Sequence, residues 1–101
     1  MSTRHLSSVR PMHLETMTDL RREFDQAAED IQQLGLRPDN DTLLKLYALY
    51  KQCSEGDVHG DAPGFFDFVG TAKYEAWAKL RGISEEQAMQ RYIALVQELL
   101  G

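Results

Sequence analysis

The stretch Leu43–Gly56, LLKLYALYKQCSEG, constrains the fold more than any other part of the chain. Residues three and four apart are neighbours on an α-helix, so Tyr47, Tyr50 and Lys51 share one side of a helix here. A second stripe, rotated away from the lysine, is formed by Leu46, Leu49 and Cys53. The pattern predicts a helix with two apolar faces, only one of which is needed for the core.

The face that carries the two tyrosines has two interpretations. Two phenol rings and an ammonium group suit a ligand with a flat ring, an anionic group and an apolar part. Tyrosines at helical spacing are, however, more often core or half-buried packing residues. The spacing alone leaves both interpretations open.

Length and charge narrow the class of protein. The 101 residues suit one domain, and fractions of 43% hydrophobic and 27% charged residues are typical of a soluble globular protein. No apolar run approaches the roughly 20 residues that span a bilayer, and residues 1–14 lack the continuous apolar stretch of a signal peptide. The net charge of −5 disfavours a nucleic-acid partner. The single cysteine, Cys53, fits a reducing compartment, so we expect a cytoplasmic protein.

The segment Met1–Thr16 differs from the rest of the chain. It contains Arg4 and Arg10 and has no acidic residue before Glu15. It is short for a targeting peptide and lacks an amphipathic repeat, so we expect a disordered extension or leader. The folded domain is then predicted at 17–101.

Helical periodicity accounts for the chain from position 18 onward, and no segment reads convincingly as a strand. The first helix is predicted to start at a cap from Thr18 or Asp19 and to end at a left-handed Gly35. The second is predicted to run from the start signal Pro38–Asp41 to about Ser54. Apolar residues of the first helix recur every three or four positions: Leu20, Phe24, Ala27, Ala28, Ile31 and Leu34.

A loop at 55–64 leads to an aromatic segment, Phe65–Phe68. We expect its aromatic side chains to fill the core at the start of the third helix, with Asp67 as the cap. That helix is predicted to end at Gly82, and a capping box of Ser84 and Gln87 starts the fourth. The third helix has Ala72, Ala76, Trp77 and Leu80 on its apolar side. The fourth has Ala88, Met89, Tyr92, Ile93, Val96, Leu99 and Leu100.

Candidate metal and catalytic residues are few. Asp57, His59 and Asp61 alternate in the loop, which is a weak signal for a metal site, and a solvated loop is the simpler interpretation. Cys53 is predicted to be buried, and no Ser, His and Asp arrangement for nucleophilic catalysis is evident. The sequence therefore predicts no enzyme, no cofactor and no metal site.

The run Pro38–Gly56, PDNDTLLKLYALYKQCSEG, resembles the signature of the acyl-CoA-binding protein family. That signature has a proline, an acid three residues later, and an apolar stretch that ends in Tyr-small-x-aromatic-Lys-Gln before small residues and a glycine. Residues 56–93 are similar to the second half of the family, and Phe24–Ala28 resembles its opening. The resemblance covers about Leu20 to Leu100.

The resemblance implies an all-α four-helix bundle in up-down-down-up order. It also implies noncovalent binding, buffering and transport of medium- and long-chain fatty acyl-CoA esters. By position, Tyr47, Lys51 and Lys73 would hold the 3′-phosphate of the CoA ribose, and Tyr50 would line the adenine site. The other implied head-group residues are Ala27, Ala28, Gln32, Ala48, Leu49 and Tyr92, and the implied acyl-chain residues are Leu43, Leu44 and Ala72.

The chain departs from the commoner family pattern in its cations. Gln32 replaces a usual basic residue, and Val69 and Thr71 replace frequent lysines. Fewer cations imply weaker or less salt-sensitive binding of the head group. They also leave an alternative open, a bundle that uses the Tyr47, Tyr50 and Lys51 face to bind a partner helix or peptide.

Partners follow from the same resemblance. We expect a monomer that delivers its cargo to acyl-CoA-using enzymes. We expect no nucleic-acid partner and no stable membrane insertion.

Overall fold

A computed structural model describes the backbone of residues 12–101 and the side chains of residues 17–101. Within this range the chain forms four α-helices and no strand, which confirms the all-α prediction. No described helix combines the length and apolar character needed to span a bilayer. The helices are α1 (Met12–Asp30), α2 (Asn40–Glu55), α3 (Phe68–Ala78) and α4 (Glu85–Leu100), with a 3-10 turn at Ile31–Gln33.

The first helix differs from the prediction at both ends. It begins at Met12 rather than Thr18, so positions 12–16 are helical; the remainder of the expected leader, 1–11, lies outside the described residues. At its other end, α1 tightens into the 3-10 turn, and Leu34 leaves with extended backbone at φ −63° and ψ 128°. The left-handed cap predicted at Gly35 is wrong, because the turn already ends the helix.

The predicted caps of α2 and α4 are confirmed. Asp39 accepts a hydrogen bond from the backbone N–H of Thr42, and Gly56 follows the last residue of α2 with a φ of 78°. Ser84 and Gln87 form the reciprocal capping box at the start of α4. These pairings satisfy backbone donors that a helix leaves free at its first turn.

The aromatic segment before α3 does not enter the core, contrary to the prediction. Phe65, Phe66 and Phe68 are 85%, 81% and 73% exposed, although Asp67 does cap α3 by accepting from the N–H of Gly70. The apolar space between α2, α3 and the loop is instead filled by Val58 and Trp77, packed on Ala48. The third helix also ends at Ala78, before the predicted Gly82.

The pairing of side chains gives the direction of α3 relative to α2. Lys73 lies over the ring of Tyr47, and Lys51 lies over the ring of Trp77. Later residues of α2 therefore meet later residues of α3, and the two helices run parallel. A parallel neighbour requires the chain to return along the full length of α2, which explains the long connection at 56–67.

The same reasoning orients α1 and α4. Arg21, in the middle of α1, pairs with Glu85 at the start of α4, and Phe24 packs edge-on against Tyr92 one to two turns later in each helix. These helices run parallel to each other. Tyr50 of α2 also faces Tyr92, while Gln52 bonds to the carbonyl of Ile83, so α2 is antiparallel to α4. The order is up-down-down-up, as predicted.

Two apolar clusters hold the bundle together. The larger joins α1, α2 and α4. The smaller joins α2, α3 and the loop. The buried members of the larger cluster are Leu20, Phe24, Ala27, Leu46, Leu49, Cys53, Ala88, Met89, Tyr92 and Val96.

Candidate ligand-binding site

A cleft of about 650 Å³ opens between α2, α3 and α4. Clefts of this volume commonly accommodate small-molecule ligands. Leu44 and Ala72, two of the three implied acyl-chain residues, line it, whereas the half-buried Leu43 does not. The complete lining consists of six apolar residues (Leu44, Ala48, Leu49, Ala72, Ala76 and Leu80) and five charged ones (Asp41, Lys45, Glu75, Lys79 and Arg91).

Small side chains on α3 create this cleft. Ala72 and Ala76 are four residues apart, so their methyl groups lie one above the other on one side of the helix. Ala48 occupies the facing side of α2, and none of the three fills the space between the helices. The result is an apolar groove rather than a closed helix–helix contact.

Among residues that do not line the cleft, α2 and α3 bring together the first pair of implied phosphate-binding residues. The Lys73 ammonium lies 5.1 Å from the centroid of the Tyr47 ring. Lys73 is exposed and Tyr47 is half-buried, so both the ammonium and the ring border solvent. The contact is within the range of a cation–π interaction, which orients the lysine without neutralising its charge.

One turn further along both helices, Lys51 lies 4.8 Å from the centroid of the Trp77 ring. Its ammonium also donates a hydrogen bond to Glu55 Oε2 at 2.5 Å. That hydrogen bond raises the pKa of Lys51 above its usual value, despite an opposing effect of burial. The same bond lowers the pKa of Glu55, so the two groups are an ion pair at neutral pH.

On the other side of α2, three aromatic rings form a cluster. Tyr50 stacks on Phe24 with ring centroids 5.6 Å apart and lies 6.2 Å from the ring of Tyr92. Tyr50 is 45% exposed, whereas Tyr92 is 4% exposed. Burial raises the pKa of the Tyr92 phenol, which therefore stays neutral. Only Tyr50 of the three presents a large part of its ring to an incoming ligand.

The remaining implied head-group residues lie in different surroundings. Ala27 is a buried core residue, and Ala28 is half-buried beside it on α1. Gln32 is exposed on the 3-10 turn after α1. Ala48 and Leu49 line the cleft rather than the lysine-bearing surface.

Several residues near the site were not assigned to it from the sequence. Trp77 supports Lys51, and Glu55 pairs with it. Lys45, Lys79 and Arg91 add positive charge to the cleft. The spacing of Lys51 and Glu55 on one helix is a signal for their ion pair, whereas the contact with Trp77 depends on how α3 crosses α2.

Groups of side chains that could hold a metal ion are absent from the part of the chain that the structure describes. Asp57, one of the alternating loop residues, instead accepts hydrogen bonds from Gln52 Nε2 and from the backbone N–H of Gly82. His59 lies edge-on to Trp77 and near Glu55. Two of the three loop side chains thus have structural partners.

Comparison with known proteins gives a consistent result. The family model described as "Acyl CoA binding protein" matches residues 21–96. The chain belongs to the acyl-CoA-binding protein family. It is 48% identical over 77 residues to acyl-CoA-binding protein homolog 1 of Caenorhabditis elegans, a match that covers 76% of this chain and 90% of that protein.

Solved structures of the family share the fold. Acyl-CoA-binding protein 2 of Oryza sativa superposes with a TM-score of 0.77 at 40% identity, over 80% of this chain and 90% of that one. The family member from Moniliophthora perniciosa has a TM-score of 0.75 at 38% identity, over 79% of each chain.

Proposed function

We propose that this chain binds medium- and long-chain fatty acyl-CoA esters noncovalently and thereby buffers and transports them inside the cell. The family assignment and the names of the similar proteins support acyl-CoA as the ligand. In the structure, the observation that carries the proposal is the position of two lysines. Lys51 and Lys73 come from different helices, α2 and α3, and lie over aromatic rings one turn apart. The same two helices contribute most of the lining of the apolar cleft.

This arrangement matches the chemistry of the ligand part by part. Ammonium and phenol groups that converge from two helices suit a phosphate, so we assign the 3′-phosphate to Tyr47, Lys51 and Lys73. The exposed ring of Tyr50 suits adenine, because stacking on an aromatic side chain contributes roughly 1–3 kcal/mol per base. We place the acyl chain beside Leu43, Leu44 and Ala72, and the rest of the head group beside Ala27, Ala28, Gln32, Ala48, Leu49 and Tyr92.

The number of methylene groups that can be buried sets an upper limit on what the acyl chain contributes to the free energy of binding. Each buried CH₂ group contributes about 0.8 kcal/mol, so a chain of about fourteen methylenes could contribute up to roughly 11 kcal/mol. Ordering of the chain and incomplete burial reduce that value. Affinity should nevertheless rise steeply with chain length until the cleft is filled.

The proposal includes several finer statements. The protein is a carrier rather than an enzyme, works as a monomer in the cytoplasm, and passes its ligand to acyl-CoA-using enzymes. It needs no cofactor, does not bind nucleic acid and does not insert stably into membranes. We propose 17–101 as the binding domain.

Calorimetric titration with acyl-CoA esters of increasing chain length tests the proposal. We expect saturable one-to-one binding of palmitoyl-CoA and progressively weaker binding of shorter esters. Free palmitate, which lacks the head group, is the matched control and should bind far more weakly. Absence of saturable binding of palmitoyl-CoA to the folded protein would overturn the proposal.

The alternative drawn from the sequence, a protein-interaction bundle, makes a different prediction for Lys51. The substitution Lys51→Ala should weaken binding of palmitoyl-CoA if this face holds the ligand. It should leave that binding unchanged if the face contacts only a partner helix or peptide.

A further inference from the structure

Four side chains form a connected cluster at the C-terminal end of α2. Glu55 Oε2 accepts from Lys51 Nζ, and Glu55 Oε1 lies 3.3 Å from His59 Nε2. Both Lys51 and His59 pack on Trp77. Lys51 Nζ lies 4.8 Å from the centroid of the Trp77 ring, and the His59 ring lies edge-on with its centroid 5.3 Å from that of Trp77. Both carboxylate oxygens of Glu55 therefore have a partner, and the Lys51 ammonium is held between a carboxylate and an aromatic ring.

The two lysines of the proposed phosphate site are consequently in different states. Lys51 is partly enclosed, with a side chain 24% exposed, and it is already neutralised by a carboxylate. Lys73 has no salt bridge within the described residues, and its ammonium rests only on the Tyr47 ring. An arriving phosphate meets one free cation and one that is already paired.

We propose that Glu55 competes with the phosphate of the ligand for Lys51 and so limits the affinity for the CoA head group. This inference rests on the proposed function, since it takes the 3′-phosphate to be bound by Lys51 and Lys73. A phosphate within hydrogen-bond distance of Lys51 brings negative charge close to the Glu55 carboxylate. Either that repulsion remains, or the Lys51–Glu55 hydrogen bond breaks, and both outcomes weaken binding.

His59 gives the carboxylate an alternative partner. Because Glu55 Oε1 already lies next to His59 Nε2, the carboxylate keeps one hydrogen-bonding neighbour when Lys51 turns toward the phosphate. The exchange then leaves the imidazole of His59 as the remaining neighbour of the carboxylate. Competition of this kind favours rapid release of the ligand, because the carboxylate recaptures Lys51 as the phosphate departs.

Removal of the charge of Glu55 tests the proposal. The variant Glu55→Gln should bind palmitoyl-CoA about three- to tenfold more tightly than the wild type, mainly through slower dissociation. Its affinity for palmitoyl-3′-dephospho-CoA, which lacks the phosphate at issue, should change less than about twofold. Calorimetry gives the affinities, and stopped-flow displacement gives the dissociation rates.

A matched control separates local competition from net charge. Glu98→Gln removes one negative charge from an exposed position of α4 and should not alter binding of either ligand. The proposal would be overturned if Glu98→Gln tightened palmitoyl-CoA binding as much as Glu55→Gln does. It would also be overturned if Glu55→Gln tightened the binding of both ligands equally. Unchanged or weaker binding of palmitoyl-CoA by Glu55→Gln would overturn it too.

A double-mutant cycle with Lys51→Ala adds a readout that a structural role of Glu55 would not produce. Once Lys51 is absent, Glu55→Gln should no longer tighten palmitoyl-CoA binding, because the contested cation is gone. The same tightening in the Lys51→Ala background would contradict the proposal. Failure of the wild type to bind palmitoyl-CoA would instead refute the proposed function, so the two failures are distinct.

Discussion

Lys73 Nζ lies 5.1 Å from the centroid of the Tyr47 ring, across the contact between two parallel helices. This relationship exists only in the folded bundle, because the residues are 26 positions apart and α2 and α3 must run in the same direction to align them. The ring holds an ammonium group that has no salt bridge among the described residues. A site built this way should lose phosphate affinity when either helix shifts.

The substitution Lys73→Ala should weaken palmitoyl-CoA binding about tenfold, because it removes the lysine that is free to pair with the phosphate. Binding of palmitoyl-3′-dephospho-CoA should hardly change, and calorimetry of both ligands measures the difference. Lys79→Ala, the charge-matched control on the turn after α3, should not discriminate between the two ligands. Equal losses for both ligands with Lys73→Ala would place the phosphate elsewhere.

Tyr50 offers a test of the adenine assignment. Tyr50→Ala removes the exposed ring and should weaken palmitoyl-CoA binding about tenfold or more, since base stacking contributes roughly 1–3 kcal/mol. Tyr50→Phe keeps the ring and should retain most of the affinity. The assignment fails if both variants lose affinity equally, because the hydroxyl group and not the ring would then be responsible.

The features predicted most accurately from the sequence are those that depend on residues within one helical turn. The caps at Asp39 and Ser84 depend on residues three positions away, and both are confirmed. The buried stripe of α4 is similarly local, because one-sided apolar spacing requires a partner surface. The family signature added the order of the helices, which no local pattern contains.

Features that depend on which helix or loop packs against a residue could not be predicted from the sequence. Phe65 and Phe66 have the composition of core residues, yet Val58 and Trp77 occupy the space under the loop and leave both rings in solvent. The cleft likewise depends on how α3 crosses α2. The spacing of the alanines on α3 is the one sequence feature that indicates it. Gly35 failed as a cap for a more local reason, the early 3-10 turn.

Gln52 should be important for stability. This side chain is 1% exposed and donates from Nε2 to the carbonyl of Ile83 at 2.9 Å and to Asp57 Oδ1 at 2.8 Å. Gln52→Ala removes both bonds and should lower the free energy of unfolding by about 2 kcal/mol. Urea denaturation measures the change, and Gln90→Ala, at an exposed position of α4, is the control with an expected change below about 0.5 kcal/mol. Equal effects of the two variants would show that the buried bonds are not important.

Asp57 should make stability depend on acid pH. The backbone N–H of Gly82, followed by the Gln52 amide, lowers the pKa of this carboxyl below its usual 3.8. The stabilisation is therefore present above the usual pKa and is lost as the pH falls below it toward the folded-state pKa. Asp57→Asn should reduce the loss of stability in that range, and thermal unfolding at each pH measures the difference. Parallel pH curves for the wild type and Asp57→Asn would contradict this role.

Cys53 should be unreactive in the native protein. The thiol is 4% exposed, and burial raises its pKa to about 12, so almost no thiolate is present at pH 8. An aromatic disulfide reagent should react with Cys53 only as fast as the bundle opens, and completely in denaturant. The control is a double variant, Cys53→Ala with Ser54→Cys, which moves the thiol by one residue to an exposed position. This thiol should react with the reagent immediately. Immediate reaction of the native wild type would instead show that α2 separates readily from α1 and α4, and the packing that aligns Tyr50 with Tyr92 could not then be rigid.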